Sequence, residues 1–96
     1  MPKHDFSALF AEYEAIIAQM PETFDSHQFI LRLAQQHQPL YIEALFSYRD
    51  KPAPFKIVHG ILAKHLHAYP GLGQVGVVSS TDIFGQSNGC ARWRRL

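Results

Sequence analysis

The first part of the chain repeats apolar side chains at the spacing of an α-helix. In residues 5–20 they return every three or four positions, so they share one helical face. These positions are Phe6, Leu9, Phe10, Tyr13, Ile16, Ile17 and Met20. Asp5 can cap the first turn, and Pro21 stops the last one. The pattern predicts an amphipathic helix over residues 5–20 that turns Glu12 and Glu14 toward water.

A second helix is predicted after the next polar residues. Asp25 or Ser26 can cap it, because short polar side chains accept hydrogen bonds from the free N–H groups of a first turn. Its apolar positions are Phe29, Ile30, Leu33 and Ala34. The helix should end near His37, since Gln38 precedes a proline, Pro39, and is pushed toward extended geometry.

Prolines mark the starts of two more helices. Pro39 suits the first turn of a third helix in residues 39–50, PLYIEALFSYRD. This segment is apolar on most sides, which predicts a position at the centre of the core. The prolines and charges of residues 49–54 are typical of an exposed connection. Pro54 can then open a fourth helix over residues 55–69.

The fourth predicted helix has two different faces. Its apolar stripe contains Phe55, Val58, Leu62, His65, Leu66 and Tyr69, widened by Ile57 and Ile61. The opposite stripe contains Lys56, Gly60, Lys64 and His67, with His59 and Ala63 alongside. The second set shares one face because its members are three or four positions apart. We expect His65 to be partly buried, and His59 and His67 to titrate near neutral pH.

After Pro70 the helical periodicity is lost, and the remaining residues favour a β-hairpin. Valines alternate with Gly, Ser and Asn, and Asn88-Gly89 is a typical hairpin turn. A second short turn is predicted at residues 82–84, ended by Gly85 and capped by Ser80 or Thr81. In the last strand, Ala91, Trp93 and Arg95 alternate with Cys90, Arg92 and Arg94. Alternation predicts that Trp93 packs inward and that Arg92 and Arg94 point outward.

The predicted fold class is α+β: a domain of three to four helices followed by a C-terminal antiparallel hairpin. In this order of elements the chain resembles a winged-helix domain, a helix-turn-helix derivative whose last helix is followed by a β-hairpin wing. PFKIVHGILAKHL corresponds to the recognition helix and STDIFGQSNGCARW to the wing. The strand that this family usually has between its first two helices is not apparent in the sequence.

The resemblance implies a DNA-binding, transcription-regulatory module that uses the helix of residues 55–69 and the hairpin. The recognition helix would face the major groove, and the arginines near the wing would meet phosphates. The residues expected to bind nucleic acid are Lys56, His59, Gly60, Lys64, His67, Arg92, Arg94 and Arg95. The alternative is a protein-interaction or structural module of the same fold, with Trp93 and its flanking arginines as an interface anchor.

Charge is distributed unevenly along a chain whose net charge is only +1. Residues 1–48 hold two basic and six acidic side chains, whereas residues 49–96 hold seven basic and two acidic ones. Such asymmetry favours an anionic partner, either duplex DNA or an acidic protein. Alternatively, the two halves fold against each other and neutralise their charges.

Composition limits the remaining possibilities. A chain of 96 residues with 47% apolar residues predicts one globular domain, residues 1–96. The single cysteine, Cys90, and the absence of a secretory or membrane-spanning pattern predict a cytoplasmic protein. The terminal strand offers an edge at which a second copy can pair, so a homodimer is one expected assembly.

The sequence favours neither an enzyme nor a metal or cofactor site. Residues 71–76 spell G-x-G-x-x-G but follow a helix and precede a strand, the reverse of a dinucleotide site. Residues 79–82 form a polar cluster without a general base in a nucleophile motif. Helical geometry does not let His59, His65 and His67 converge, even with Cys90 nearby. We therefore expect no catalytic residues, no metal and no cofactor.

Overall fold

A computed structural model describes residues 4–96 as an α+β fold, the predicted class. Its elements are α1 Ser7–Phe10, α2 Tyr13–Gln19, β1 Thr23–Asp25, α3 Ser26–Gln36, α4 Gln38–Ser47, α5 Pro54–His67, β2 Leu72–Thr81 and β3 Ser87–Arg95. Every element contributes buried side chains to one hydrophobic cluster. Within the described residues, no helix has both the length and the apolar character needed to cross a bilayer.

The helix predicted over residues 5–20 is divided into α1 and α2. The break lies at Ala11 and Glu12, where the Glu12 N–H donates to the Leu9 carbonyl oxygen at 3.0 Å instead of continuing the α-helical pattern. The apolar face nevertheless stays continuous, because Leu9 and Tyr13, on opposite sides of the break, are both buried. Asp5 holds the first turn, as its Oδ1 accepts a hydrogen bond from the Ser7 N–H at 2.9 Å.

The predicted start and end of α3 are confirmed. Asp25 is the cap: its Oδ1 accepts a hydrogen bond from the Gln28 N–H, and the Gln28 side chain accepts one from the Asp25 N–H, each at 2.9 Å. This reciprocal capping box satisfies two N–H groups that the helix leaves free. The helix ends at Gln36, with His37 as its C-cap. The start of α3 is therefore fixed directly against the end of β1.

The predicted central position of α4 is wrong. Only Tyr41 and Ala44 of this helix are buried, whereas the side chains of Ile42 and Phe46 are 60% and 61% exposed. Among the described residues the helix packs against α1, α3 and α5, and the apolar outer side that carries Ile42 and Phe46 remains exposed. The Arg49 guanidinium lies 4.1 Å from the centre of the Phe46 ring and covers part of that side.

The apolar stripe of α5 is largely confirmed. Val58, Leu62 and Leu66 are fully buried. His65 is half-buried as predicted, and its ring stacks on Phe10 with the centroids 3.6 Å apart. Phe55 departs from the prediction, because 44% of it is exposed at the first turn of the helix. The core-facing side of α5 is therefore anchored along its length, except at its N-terminal end.

The sheet has three strands, so the predicted C-terminal hairpin is only part of it. The strand order is β1–β3–β2, and both pairs are antiparallel. The added strand, β1, is only three residues long and pairs Phe24 with Trp93. Three residues are too few for alternation to distinguish a strand from a loop, which explains why the sequence did not reveal β1. It lies between α2 and α3 and places β3 at the centre of the sheet.

Trp93 is buried, as alternation predicted. It is only 2% exposed, and its Nε1 donates a hydrogen bond to Ser26 Oγ at 2.9 Å. The edge of its ring meets the His67 ring, with the centroids 4.7 Å apart. A buried indole needs a partner for its N–H, and the first residue of α3 supplies one. Trp93 thus joins β3 to both α3 and α5.

The predicted Asn88-Gly89 turn is wrong, and the second predicted turn is confirmed in position. Asn88 and Gly89 lie inside β3, opposite residues 79 and 80 of β2. The chain reverses at Asp82, whose side chain, rather than Ser80 or Thr81, caps the turn. It accepts hydrogen bonds at 2.9–3.0 Å from the N–H groups of Phe84 and Gln86 and from the Asn88 amide. These bonds also lower the pKa of the Asp82 carboxyl.

A β-bulge divides the hairpin into two parts. The pairing register shifts between Gln74 and Gly76, and Gly76 has a φ of 142°, which side-chain-bearing residues rarely adopt. We call residues 72–74 and 92–95 the base of the hairpin and residues 76–91 its tip. The base belongs to the three-stranded part of the sheet, whereas the tip has two strands.

Candidate binding groove between α5 and the hairpin tip

A groove of about 850 Å³ lies between α5 and the tip. The exposed side of α5 forms one wall, and residues 82–91 of the tip contribute the other. The floor is the start of α3, through Ser26, His27 and Ile30. The volume of the groove lies within the range of about 300–1,000 Å³ that is usual for ligand-binding clefts.

All five residues predicted on α5 line this groove. They are Lys56, His59, Gly60, Lys64 and His67. They come together because their helical spacing puts them on the side opposite the buried stripe. Gly60 leaves the middle of the wall bare, since a Cβ there would meet no atom within 4 Å. An incoming group can therefore approach the helix backbone between the two lysines.

Aromatic side chains join the two walls at the N-terminal end of α5. The rings of Phe55 and Phe84 meet edge to face with centroids 4.6 Å apart, and the His59 ring stacks on Phe84 at 5.9 Å. Phe84 is 52% exposed despite these contacts. The sequence placed Phe55 in the core, because periodicity alone cannot tell an exposed aromatic residue at a helix end from a buried one.

His59 adds little positive charge to the groove at neutral pH. Burial lowers the pKa of its imidazole, since the charged form loses hydration. A hydrogen bond of 2.6 Å joins its Nε2 to Tyr41 Oη. Burial also raises the pKa of Tyr41 to about 12, so the phenol keeps its proton and can donate it to a neutral ring. The fixed positive charges of this wall are therefore Lys56 and Lys64.

The three candidate arginines do not share the groove. Arg92 and Arg94 border a separate depression, together with residues of β1 and the preceding loop. Arg94 also forms an ion pair with Glu22, with Nη2 and Oε1 3.5 Å apart. Arg95 lies at a third site beside α2. Alternation explains the positions of Arg92 and Arg94, because the inward position of Trp93 turns both of its neighbours to the other face of the sheet.

A group of potential metal ligands lies at the edge of the groove floor. Asp25, His27 and Cys90 each offer one ligand atom, and these atoms are within 4.8 Å of one another. This group of potential ligands does not include the α5 histidines His59, His65 and His67. Burial raises the pKa of the Cys90 thiol, because the charged thiolate would lose hydration. This group is not recognisable from the sequence, because Cys90 approaches α3 only through the pairing of β1 with β3.

Comparison of the chain with protein-family models, with curated proteins and with solved structures finds no match. The function of the groove is therefore inferred from its own side chains and their arrangement.

Proposed function

We propose that the chain is a winged-helix-like module that binds duplex DNA through α5 and the hairpin tip. The observation that carries this proposal is the convergence of Lys56, His59, Gly60, Lys64 and His67 on one wall, facing the tip. Lysines on an accessible surface neutralise phosphates, and the nearby tip offers a second element for contact with the backbone. Arg92, Arg94 and Arg95 lie elsewhere and are not part of this surface.

The order of the elements supports the proposal. A short strand, β1, separates the early helices from α3, and a hairpin follows the last helix, as in winged-helix domains. In the proposed arrangement, α5 is the recognition helix and the tip of the β2–β3 hairpin is the wing. α4 is then an additional helix between α3 and the proposed recognition helix, α5.

The dimensions of α5 suit a major groove. The helix has 14 residues, and at 1.5 Å per residue it is about 21 Å long. Lys56 and Lys64 are separated by about 12 Å along the helix axis, and both are exposed. A helix of about 10–12 Å in diameter enters a major groove about 12 Å wide. Gly60, between the lysines, adds no side chain that would hold the helix away.

A protein-interaction module is the second candidate function, and two observations favour it. Phe55 and Phe84 leave an exposed aromatic surface in the groove, and aromatic residues are enriched in protein interfaces. In addition, the arginines that would strengthen DNA binding lie on other parts of the surface. The partner would be a segment with apolar anchors and acidic side chains that meet Lys56 and Lys64.

A titration of fluorescent mixed-sequence duplex DNA at two salt concentrations tests the first proposal. The double substitution Lys56→Glu/Lys64→Glu should weaken binding at least tenfold and reduce the slope of log affinity against log salt by about two. The matched control is Arg92→Glu/Arg94→Glu, which reverses the same number of charges outside the groove. This control should reduce DNA affinity and the salt slope less than Lys56→Glu/Lys64→Glu does.

Two results would overturn the DNA proposal. One is the absence of detectable binding at low salt by protein whose circular dichroism shows it to be folded. The other is an equal loss of affinity in the two double variants, which would indicate attraction by overall charge alone. Selection of acidic peptides from a displayed library then tests the second candidate: Phe55→Ala/Phe84→Ala should abolish their binding.

A further inference from the structure

Three types of metal-binding side chain meet where β1 ends and α3 begins. Asp25 is the last residue of β1 and caps α3, and His27 lies in the first turn of that helix. Cys90 reaches them from β3, which runs beside β1. Their ligand atoms all lie within 4.8 Å of one another. A carboxylate, an imidazole and a thiol thus come together from two distant parts of the chain.

His27 provides an independent sign of a missing partner. Its Nδ1 is buried, and none of the described residues 4–96 forms a hydrogen bond with it. Buried polar atoms in folded proteins nearly always have one, so an exception requires an explanation. A bound cation would accept the free electron pair of this nitrogen and remove the deficit.

We propose that Asp25, His27 and Cys90 bind one Zn²⁺ ion through a carboxylate oxygen, Nδ1 and the thiolate sulfur. Cys90 releases its proton to solvent when the metal binds, because the thiolate is the ligand. Zinc accepts this combination of oxygen, nitrogen and sulfur at bond lengths of about 2.0–2.3 Å. Magnesium and calcium prefer oxygen ligands alone, so the thiol and imidazole favour zinc.

The required adjustment is small. Zinc bond lengths place neighbouring tetrahedral ligands about 3.5 Å apart, so the three side chains must close by about 1 Å from their present limit of 4.8 Å. One Asp25 oxygen, Oδ1, already accepts the capping bond from Gln28, and the carboxylate has a second oxygen to offer. With three protein ligands, a fourth position is left for water or for a ligand in the adjoining groove.

Zinc at this position would connect the two parts of the groove that meet there. Cys90 belongs to the hairpin tip, whereas His27 belongs to the floor. The ion would link the tip directly to the start of α3, a connection that the base of the hairpin does not provide. The proposal does not depend on DNA binding, because its three ligands include none of the α5 residues that carry the DNA proposal.

A Co²⁺ titration of the reduced, metal-free full chain tests the proposal. Cobalt occupies zinc sites and reports a thiolate ligand through a charge-transfer band. We expect this band at one equivalent, its loss in Cys90→Ser, and its displacement by Zn²⁺. His27→Gln should weaken Zn²⁺ affinity at least tenfold, whereas His37→Gln, a matched histidine substitution at the other end of α3, should leave it unchanged.

A measurement on the unsubstituted chain guards against variants that fail to fold. One equivalent of Zn²⁺ should slow alkylation of Cys90 at least tenfold, and a chelator should restore the original rate. The proposal is overturned if the wild-type chain shows no sulfur-to-cobalt band or if Zn²⁺ does not protect the thiol. It is also overturned if His27→Gln binds zinc as tightly as the wild type.

Discussion

The base and the tip of the β2–β3 hairpin differ in what holds them. In the base, Leu72 and Trp93 are buried, and β1 adds a third strand. In the tip, Val77 is 71% exposed and Phe84 52% exposed, and only two strands pair. The core fixes the base, whereas the tip is held by hydrogen bonds to Asp82, ring contacts with α5 and the partial burial of Ile83 and Ala91 against the core.

This difference predicts that stability and the proposed binding depend on different parts of one hairpin. The buried base can anchor the domain because removing it would expose large apolar surfaces to water. The tip carries exposed side chains beside the groove, where a partner can reach them. Substitutions in the base should therefore change the free energy of unfolding, and substitutions around the tip should change binding or local order.

The largest effect is expected from Trp93→Ala. Loss of the buried indole should reduce the free energy of unfolding by about 3–5 kcal/mol, the usual result for removing a core aromatic side chain. Denaturant unfolding followed by far-ultraviolet circular dichroism measures it, since the variant has no tryptophan fluorescence. Trp93→Phe keeps most of the packing but loses the hydrogen bond to Ser26. Its free energy of unfolding should therefore fall by less than that of Trp93→Ala. A loss below about 1 kcal/mol in Trp93→Ala would contradict the anchoring role of the base.

A smaller effect of opposite sign is expected at Gly60, on the wall facing the tip. Gly60→Ala should raise the free energy of unfolding by about 0.5–1 kcal/mol, because alanine is the better helix former and its Cβ meets no atom within 4 Å. Thermal unfolding measures this gain. Gly60→Leu should also fold but should weaken DNA binding at least tenfold by blocking the bare backbone. DNA affinity unchanged in Gly60→Leu would show that the partner does not approach this wall.

A pH-dependent effect is expected from His59, which contacts the tip through Phe84. Burial lowers the pKa of His59 in the folded protein, so the unfolded chain binds the proton more readily. The contribution of the neutral ring is complete above the ordinary pKa of 6.5 and declines as the pH falls through that value toward the lowered one. Urea midpoints measured across this range should fall more in the wild type than in His59→Gln. Equal declines would contradict the prediction.

The smallest effect on global stability is expected from Asp82→Ala. The substitution removes three hydrogen bonds of the turn but leaves Trp93 and β1 in place. Amide hydrogen exchange should accelerate at Phe84 and Gln86, while protection near Trp93 should persist. Asp82→Asn keeps one acceptor oxygen and should have an intermediate effect. Equal acceleration in the base and the tip would show that they unfold as one unit.

The sequence predicted those features that depend on local periodicity. The capped start of α3, the buried stripe of α5 and the inward position of Trp93 follow from helical spacing, a polar cap and strand alternation. The clustering of Lys56, Gly60 and Lys64 along one wall follows from the same spacing. Each of these predictions needed only residues close together in the chain.

The sequence did not reveal features that depend on distant partners. β1 is a strand because β3 pairs with it, and Ile42 and Phe46 are exposed because no element within residues 4–96 covers that side of α4. The turn lies at Asp82 rather than at Asn88-Gly89 because its side chain gathers three donors from the following residues. Cys90 and His27 are also distant in the sequence, so their proximity could be found only once the strand register was known.

The bulge beside Gly76 influences the width of the groove from outside its lining, in addition to the ring contacts that join its two walls. An extra residue in one strand increases the local twist and bends that strand, so the tip leaves the sheet at an angle set by the backbone of β2. Few residues other than glycine adopt a φ of 142°, the value at Gly76. Replacement of this one glycine, which lines no part of the groove, would therefore reorient a whole wall while leaving every lining side chain chemically unchanged.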